Sequence, residues 1–175
     1  MAKLGMQLLL ALAAIAIAQG ATTTTHLQFY MHDTVTASAG SPATAERVVR
    51  GTAPLPGTPI NRFGDMYIVD DPLTEGPDAT SRAVGRAQGF YLFASRSADQ
   101  ALLLSGNMVF TAGEHNGSSV AVLGRDAILD EVRELPVVGG TGAFRDATGY
   151  GLLRAHSVNF TTNNAVLKVD MYMSV

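Results

Sequence analysis

Cysteine and tryptophan are both missing from this chain of 175 residues, and charge is scarce, at 15% of the total. Without cysteine there is no disulfide, no zinc–thiolate site, no iron–sulfur cluster and no thiol nucleophile. Lys and Arg number 12 against 15 Asp and Glu, a net charge of −3, and the basic residues are nowhere bunched. Nucleic-acid phosphates require concentrated positive charge, so no nucleic-acid partner is expected. The sequence has no G-x-S-x-G elbow. Gly139-Gly140-Thr141-Gly142 lacks the Lys-Ser/Thr that completes a phosphate loop and reads as a tight turn between strands. His26, His32, His115 and His156 are scattered, with His26 and His32 on the polar face of one strand, so no metal site and no cofactor are expected.

Long apolar runs are equally scarce. Leu8 to Ala18 is 11 residues long, short of the ~20 that span a bilayer, so no membrane span is expected. Lys3 precedes the run, and Ala18-Gln19-Gly20 offers a small-residue cleavage site. Residues 1–20 therefore read as a secretory signal peptide, with an uncleaved anchor as the alternative. Residues 21–175 read as one domain, large enough to bury a core without disulfides. In a secreted chain, Asn116-Gly117-Ser118 and Asn159-Phe160-Thr161 are glycosylation acceptors.

What the chain has is alternation. From Leu27 to Val35, Leu, Phe, Met, Asp and Val occupy the odd positions and Gln, Tyr, His and Thr the even ones. This is a strand with one buried face. Ala165 to Met173 repeats the pattern. Between them lie strand candidates at 46–52, 64–70, 86–94, 102–111, 118–125 and 149–159. Pro54, Pro56 and Pro59 mark one separator, Asn116-Gly117 is a hairpin signal, and Asp70-Asp71-Pro72 with Glu75 reads as a solvated acidic loop. Residues 126–135 fit one short helix, ended by the Pro136–Gly142 stretch. Eight strands with 18 glycines and no long helix predict an all-β fold, a closed antiparallel barrel or a sandwich.

Four ordered blocks carry a resemblance. They are Leu27–Asp33 (LQFYMHD), Phe63–Gly76 (FGDMYIVDDPLTEG), Gly85–Tyr91 (GRAQGFY) and Arg133–Gly142 (RELPVVGGTG). Together they resemble the plant dirigent family, over nearly the whole chain from Leu27 onward. The resemblance implies an eight-stranded antiparallel β-barrel with a central pocket, secreted to the apoplast and assembled into homo-oligomers, commonly trimers, with dimers as the alternative. It implies stereo- and regioselective guidance of phenoxy-radical coupling of monolignols such as coniferyl alcohol in lignan biosynthesis. The oxidant is then a separate laccase or peroxidase. Cyclase or dehydratase action on a quinone methide, and a defence or cell-wall interaction role, are the alternatives. The chain departs from the lignan-forming pattern in lacking the paired cysteines, with Thr24-Thr25 where the first is expected. It resembles monocot members without a lectin domain.

Asp33 is the acid best supported by the residues themselves. A carboxylate among Leu27, Phe29, Met31 and Val35 loses hydration, holds its proton and can protonate a quinone-methide oxygen; a turn cap or a partner for Arg is the plainer role. The resemblance adds Asp126 as a second acid and Arg133 as a phenol or phenolate anchor. Spacing alone reads these two as a helix-starting Asp and a solvated Arg. Tyr91 shares a face with Gly85, Ala87 and Gly89, which leaves space beside its ring. It either contacts a phenolic substrate or packs the barrel.

Overall fold

The computed structural model describes residues 24–58 and 60–175; the proposed signal peptide, residues 1–20, lies outside them. The strands are β1 (Thr24–Asp33), β2 (Ala45–Val49), β3 (Ala53–Pro54), β4 (Arg62–Phe63), β5 (Met66–Thr74), β6 (Ala83–Phe93), β7 (Ala101–Phe110), β8 (Ser119–Ala127), β9 (Arg133–Thr141), β10 (Thr148–Asn159) and β11 (Asn164–Ser174). Neighbours pair in the order β1-β11-β10-β9-β8-β7-β6-β5, and β5 returns to β1, closing an eight-stranded antiparallel β-barrel. The two alternating end segments lie side by side, Thr24 opposite Ser174 through Asp33 opposite Ala165. The closing ladder is short, Tyr30 opposite Thr74 and Met31 opposite Leu73.

Two expectations about these elements need correction. The 46–52 segment is not part of the ring: β2 is an added strand paired only with β5. The eighth ring member is β9, where the sequence suggested a helix and then a turn. Pro136 sits in β9 opposite Tyr150, and its alternation, Leu135 and Val137 inward against exposed Glu134 and Val138, outweighs the Gly-Pro content. Gly139, Gly140 and Thr141 finish that strand, and the turn begins only at Gly142.

The acidic loop is a third correction. Residues 70–74 continue β5, with Asp71 and Leu73 almost fully buried. Pro72 is tolerated because of where it falls. The Asp70 N–H donates to the Thr44 carbonyl across the strand. Two residues on, the same edge lies in the gap between the last β2 pair, at Val69, and the first β1 pair, at Leu73. A missing N–H there removes no ladder bond.

One end of the barrel is packed solid. Phe29 and Phe110 meet edge to face at 6.0 Å, and Phe144, from the 3-10 turn Gly142–Phe144, plugs the end against Phe110 at 5.5 Å. Val120, Val169, Met171 and Met173 complete this layer. Above it, Met31, Ala87, Met108, Leu135, Leu153 and Leu167 belong to the packed cluster and also face a cavity, forming its floor. On the outside, Ile68 of β5, Leu103 of β7 and Leu123 of β8 leave large apolar side chains exposed.

Curvature in the β6–β7 wall depends on Gly89, opposite Gly106. A Cβ there would lie 2.1 Å from the Ser105 carbonyl oxygen and 2.6 Å from the Gly106 Cα, both backbone atoms that cannot turn aside. Gly89→Ala is therefore expected to destabilise the barrel by about 1–3 kcal/mol, lowering Tm by roughly 2–10 °C. An unchanged Tm in scanning calorimetry would show that the wall relaxes and that this close approach is not required.

Candidate functional site

The cavity has a volume of about 510 Å³, within the range of small-molecule sites. Its rim is made by Pro56–Thr58, Ala98, Gln100, Ile128–Leu129 and the β10–β11 turn, where Phe160 is 66% exposed. Its walls are mainly apolar and aromatic. Tyr91, Phe93 and Leu102 line the cavity, and Tyr67, opposite Tyr91 on β5, backs the Tyr91 ring at 5.0 Å without itself lining it. Into these walls project three carboxyl groups and one guanidinium: Asp33, Asp71, Asp126 and Arg133.

Strand register explains how they are grouped. In an antiparallel ladder, directly opposed residues have side chains a few ångströms apart on the same face. Met31 opposes Leu73, so continuing that register by two residues sets Asp33 of β1 against Asp71 of β5. Val122 opposes Val137, and continuing that register by four residues sets Asp126 of β8 against Arg133 of β9. In the ring, β6 and β7 separate these two seams on one side, and β11 and β10 on the other. The two pairs therefore face each other across the cavity.

The first pair is two like charges. Burial pushes the Asp33 carboxyl up to about 7, moderated by the nearby Tyr91 hydroxyl. Asp33 Oδ1 is buried with no hydrogen-bond partner among the described residues. Burial, and then the charge of Asp33, push Asp71 up to about 8. Local hydrogen bonding agrees with a protonated Asp71. The Thr44 hydroxyl oxygen lies 2.6 Å from Asp71 Oδ1 and 3.2 Å from the His32 carbonyl, and it accepts the Thr34 N–H at 3.0 Å. A hydroxyl has one proton to give. If Asp71 carries a proton it donates to Thr44, and Thr44 donates onward to His32, so every group is satisfied.

The second pair is an ion pair. Arg133 Nη1 donates to both Asp126 oxygens at 3.2 Å, with both side chains almost wholly buried. Burial raises the Asp126 pKa; the charge and hydrogen bond of Arg133 oppose the rise. The remaining guanidinium donors, Nε and Nη2, are buried with no partner among the described residues.

The structure thus places Asp33, Asp126, Arg133 and Tyr91 around one cavity. It differs from the spacing-based reading of Asp126 and Arg133, which are strand residues buried together. Asp71 escaped the sequence reading, although Tyr67, Val69, Asp71 and Leu73 alternate, because the acidic pair before Pro72 reads as a turn. His32, placed on the polar face, is in fact buried, its Nε2 2.7 Å from the Thr74 hydroxyl. Asn116 is exposed in the β7–β8 connection. Asn159 ends β10 beside the rim, its Oδ1 accepting the Thr161 N–H at 2.9 Å. Among the described residues, no three His, Asp or Glu side chains are grouped to hold a metal ion.

Comparison with known proteins gives this geometry relatives. The family described as Dirigent-like protein matches residues 24–174. Dirigent protein 1 of Arabidopsis thaliana is 49% identical over 135 residues, 77% of this chain and 70% of its own length. Pterocarpan synthase 1 of Glycine max is 43% identical over 152 residues, 86% of this chain and 78% of its own length. The solved structure of a pterocarpan synthase dirigent protein superposes with a TM-score of 0.80 at 38% identity, covering 87% of this chain and 85% of that one.

Both members of the Asp33–Asp71 pair bind protons more tightly folded than unfolded, where an aspartate titrates near ~3.9. Above that value the unfolded chain has released protons that the folded one retains. Stability is then fully present below the unfolded pKa and is lost as pH rises through the folded values of about 7 and about 8. Asp71→Asn can donate an amide N–H to the Thr44 hydroxyl, as the protonated carboxyl does, but cannot ionise. Its Tm is expected to rise by a few degrees relative to wild type between pH 5 and pH 8, read by calorimetry at both. A constant difference would mean that Asp71 is ionised throughout.

Proposed function

The chain belongs to the dirigent family, and from that premise we propose that its cavity receives oxidised monolignols of the coniferyl alcohol class. It fixes their relative orientation as two phenoxy radicals couple, then donates protons as the resulting quinone methides close. The observation carrying this reading is the opposition of two polar pairs across an apolar space. One wall offers neutral carboxyl protons and the other a cation that attracts a phenolate. Orientation turns a random encounter into a preferred one. A carboxyl whose pKa sits near the working pH is suited to protonating an oxygen and accepting the proton back. In this reading Asp33 and Asp126 are acids, Asp71 is the partner of Asp33, Arg133 anchors a phenol and Tyr91 stacks on a ring. Oxidation is supplied by a separate laccase or peroxidase.

A second reading is favoured by the identity to proteins named pterocarpan synthases. In it the chain turns over a preformed phenolic intermediate as a cyclase or dehydratase, without an oxidant. One experiment separates the two. With coniferyl alcohol and laccase, added protein should give enantiomeric excess in the coupled products by chiral chromatography, lost in Asp33→Asn. Racemic product with and without protein would refute radical guidance. Turnover of a phenolic alcohol in the oxidant-free arm, falling about 10²-fold or more in Asp33→Asn, would establish the second.

We further propose that the protein acts outside the cell, in the apoplast, as a homo-oligomer, a trimer with a dimer as the alternative. The leader-like residues 1–20 and the exposed sequons Asn116 and Asn159 support secretion. The apolar outer face bearing Ile68, Leu103 and Leu123 supports self-association, since exposed apolar patches mark contact surfaces. Light scattering of the purified protein is expected to return a multiple of the chain mass; a monomeric mass would refute assembly through that face.

A further inference from the structure

We infer that Gln100, at the mouth of the cavity, is a specificity-determining residue that selects phenols whose side chain ends in an alcohol. The inference rests on the cavity being a phenol site and deepens that reading by assigning recognition of the ligand's other end. Gln100 closes the β6–β7 connection and lies two residues before Leu102, which also lines the cavity. Leu102 opposes Phe93 on one side and Asp126 on the other, so Gln100 stands one rung nearer the mouth than the Asp126–Arg133 pair. It is only 8% exposed and lines the cavity. Its side-chain amide makes no hydrogen bond among the described residues. Nor is it one of the unpartnered polar groups sealed inside the protein, as the free Arg133 nitrogens are, so it is open to the space in front of it.

The backbone holds Gln100 there against its own preference. Its φ is +48°, in the left-handed region that side chains other than Asn and Asp rarely adopt. The other non-glycine residues with positive φ among the described residues are Asp146 and Asn163, both of tolerant types. Hydrogen bonds brace the loop into this shape. The Gln100 N–H donates to the Ser97 carbonyl, and Asp99 accepts from the Ser95 hydroxyl and the exposed Arg125 guanidinium, both at 2.6 Å. With Asp99 pinned to β8 on the outside, the next side chain turns into the cavity. Strained backbone of this kind gathers at ligand sites. Glycine would adopt the same turn without strain, so the strain serves the side chain and not the turn.

A primary amide offers an acceptor oxygen and two N–H donors. A hydroxyl, which donates and accepts at once, meets both; a carboxylate or ether oxygen meets only the donors, and a methyl group neither. A carboxylate would also add a further negative charge to an apolar enclosure that Asp33, Asp71 and Asp126 already face. The group that fits is an uncharged alcohol on the tail of a phenol whose ring lies deeper, beside Tyr91 and Phe93.

The test is titration calorimetry on the intact protein with 3-(4-hydroxyphenyl)propan-1-ol, its methyl isostere 4-butylphenol, and 3-(4-hydroxyphenyl)propanoate. The readout is the affinity of the alcohol relative to 4-butylphenol, a ratio that cancels whatever the phenol end contributes. In Gln100→Leu this ratio is expected to fall about tenfold, the scale of one or two neutral hydrogen bonds. In Gln100→Gly it should fall as well, while Tm holds or rises because the left-handed strain is gone. A merely structural glutamine would not give that combination. A ratio unchanged in either folded variant would overturn the inference and leave the cavity a phenol site. So would tighter binding of the propanoate than of the alcohol by wild type. Binding of none of the three would remove both this inference and the function proposed above.

Discussion

Taking carboxyl groups out of water is the constraint around which this molecule is organised. An ionised carboxylate in an apolar enclosure is so poorly solvated that it must be paired, hydrogen-bonded or neutral. Here all three solutions occur in one cavity. Asp126 is paired with Arg133, Asp71 is held by Thr44, and Asp33 is pushed toward its neutral form. Keeping these side chains dry and aimed inward requires a wall without gaps, which a closed sheet provides because it has no open edge. The same closure explains the division of the interior. One end is filled by Phe29, Phe110 and Phe144, whose packing supports the barrel, so the other end can stay hollow.

The two walls are chemically unlike, and that asymmetry matters more than the number of acids. Two carboxyls on adjacent strands repel when both are charged, so one proton is retained by the pair. A carboxylate beside a guanidinium stays closer to its ionised form and leaves the cation able to attract a second oxygen. A ligand spanning the cavity therefore meets a proton donor at one end and a cation at the other. Its orientation is set by its own polarity, with the apolar walls supplying contact rather than direction.

How much of this was legible in the sequence follows from which signals are local. Period-two alternation at 27–35 and 165–173 located β1 and β11, and the inward aspect of Asp33 came with it. Asp71 and β9 were hidden by the same cause. Pro and Gly near acidic or small residues normally stop a strand, but Pro72 sits where its neighbour strand is interrupted, and neither feature can be seen without the partner strand. The burial of His32 is likewise non-local, since its hydroxyl partner Thr74 is brought by β5. Asp126 and Arg133, seven residues apart, look like the start of a helix and a surface Arg. Only a hairpin turning between them makes them opposite neighbours, and the residues between, Ala127 to Val132, show helical apolar spacing as readily as a turn. The shape of the site was thus readable where one strand defined it, and unreadable where two strands had to meet.

The meeting of β1 and β5 joins fold and chemistry at one place. Their ladder has only two residue pairs, against ten for β1 with β11, yet it is the contact that turns a curled sheet into a barrel. Asp33 and Asp71 continue that ladder into the cavity, so the two carboxyls come together only when the ring is closed. Repulsion between them would act directly on the weakest seam. The link from Asp71 through Thr44 to the His32 carbonyl runs across this seam, and it is complete when Asp71 carries a proton. Under the proposed function, the proton that the pair would donate is then also the one that lets the barrel shut, so the acid form and the most stable closed state are the same.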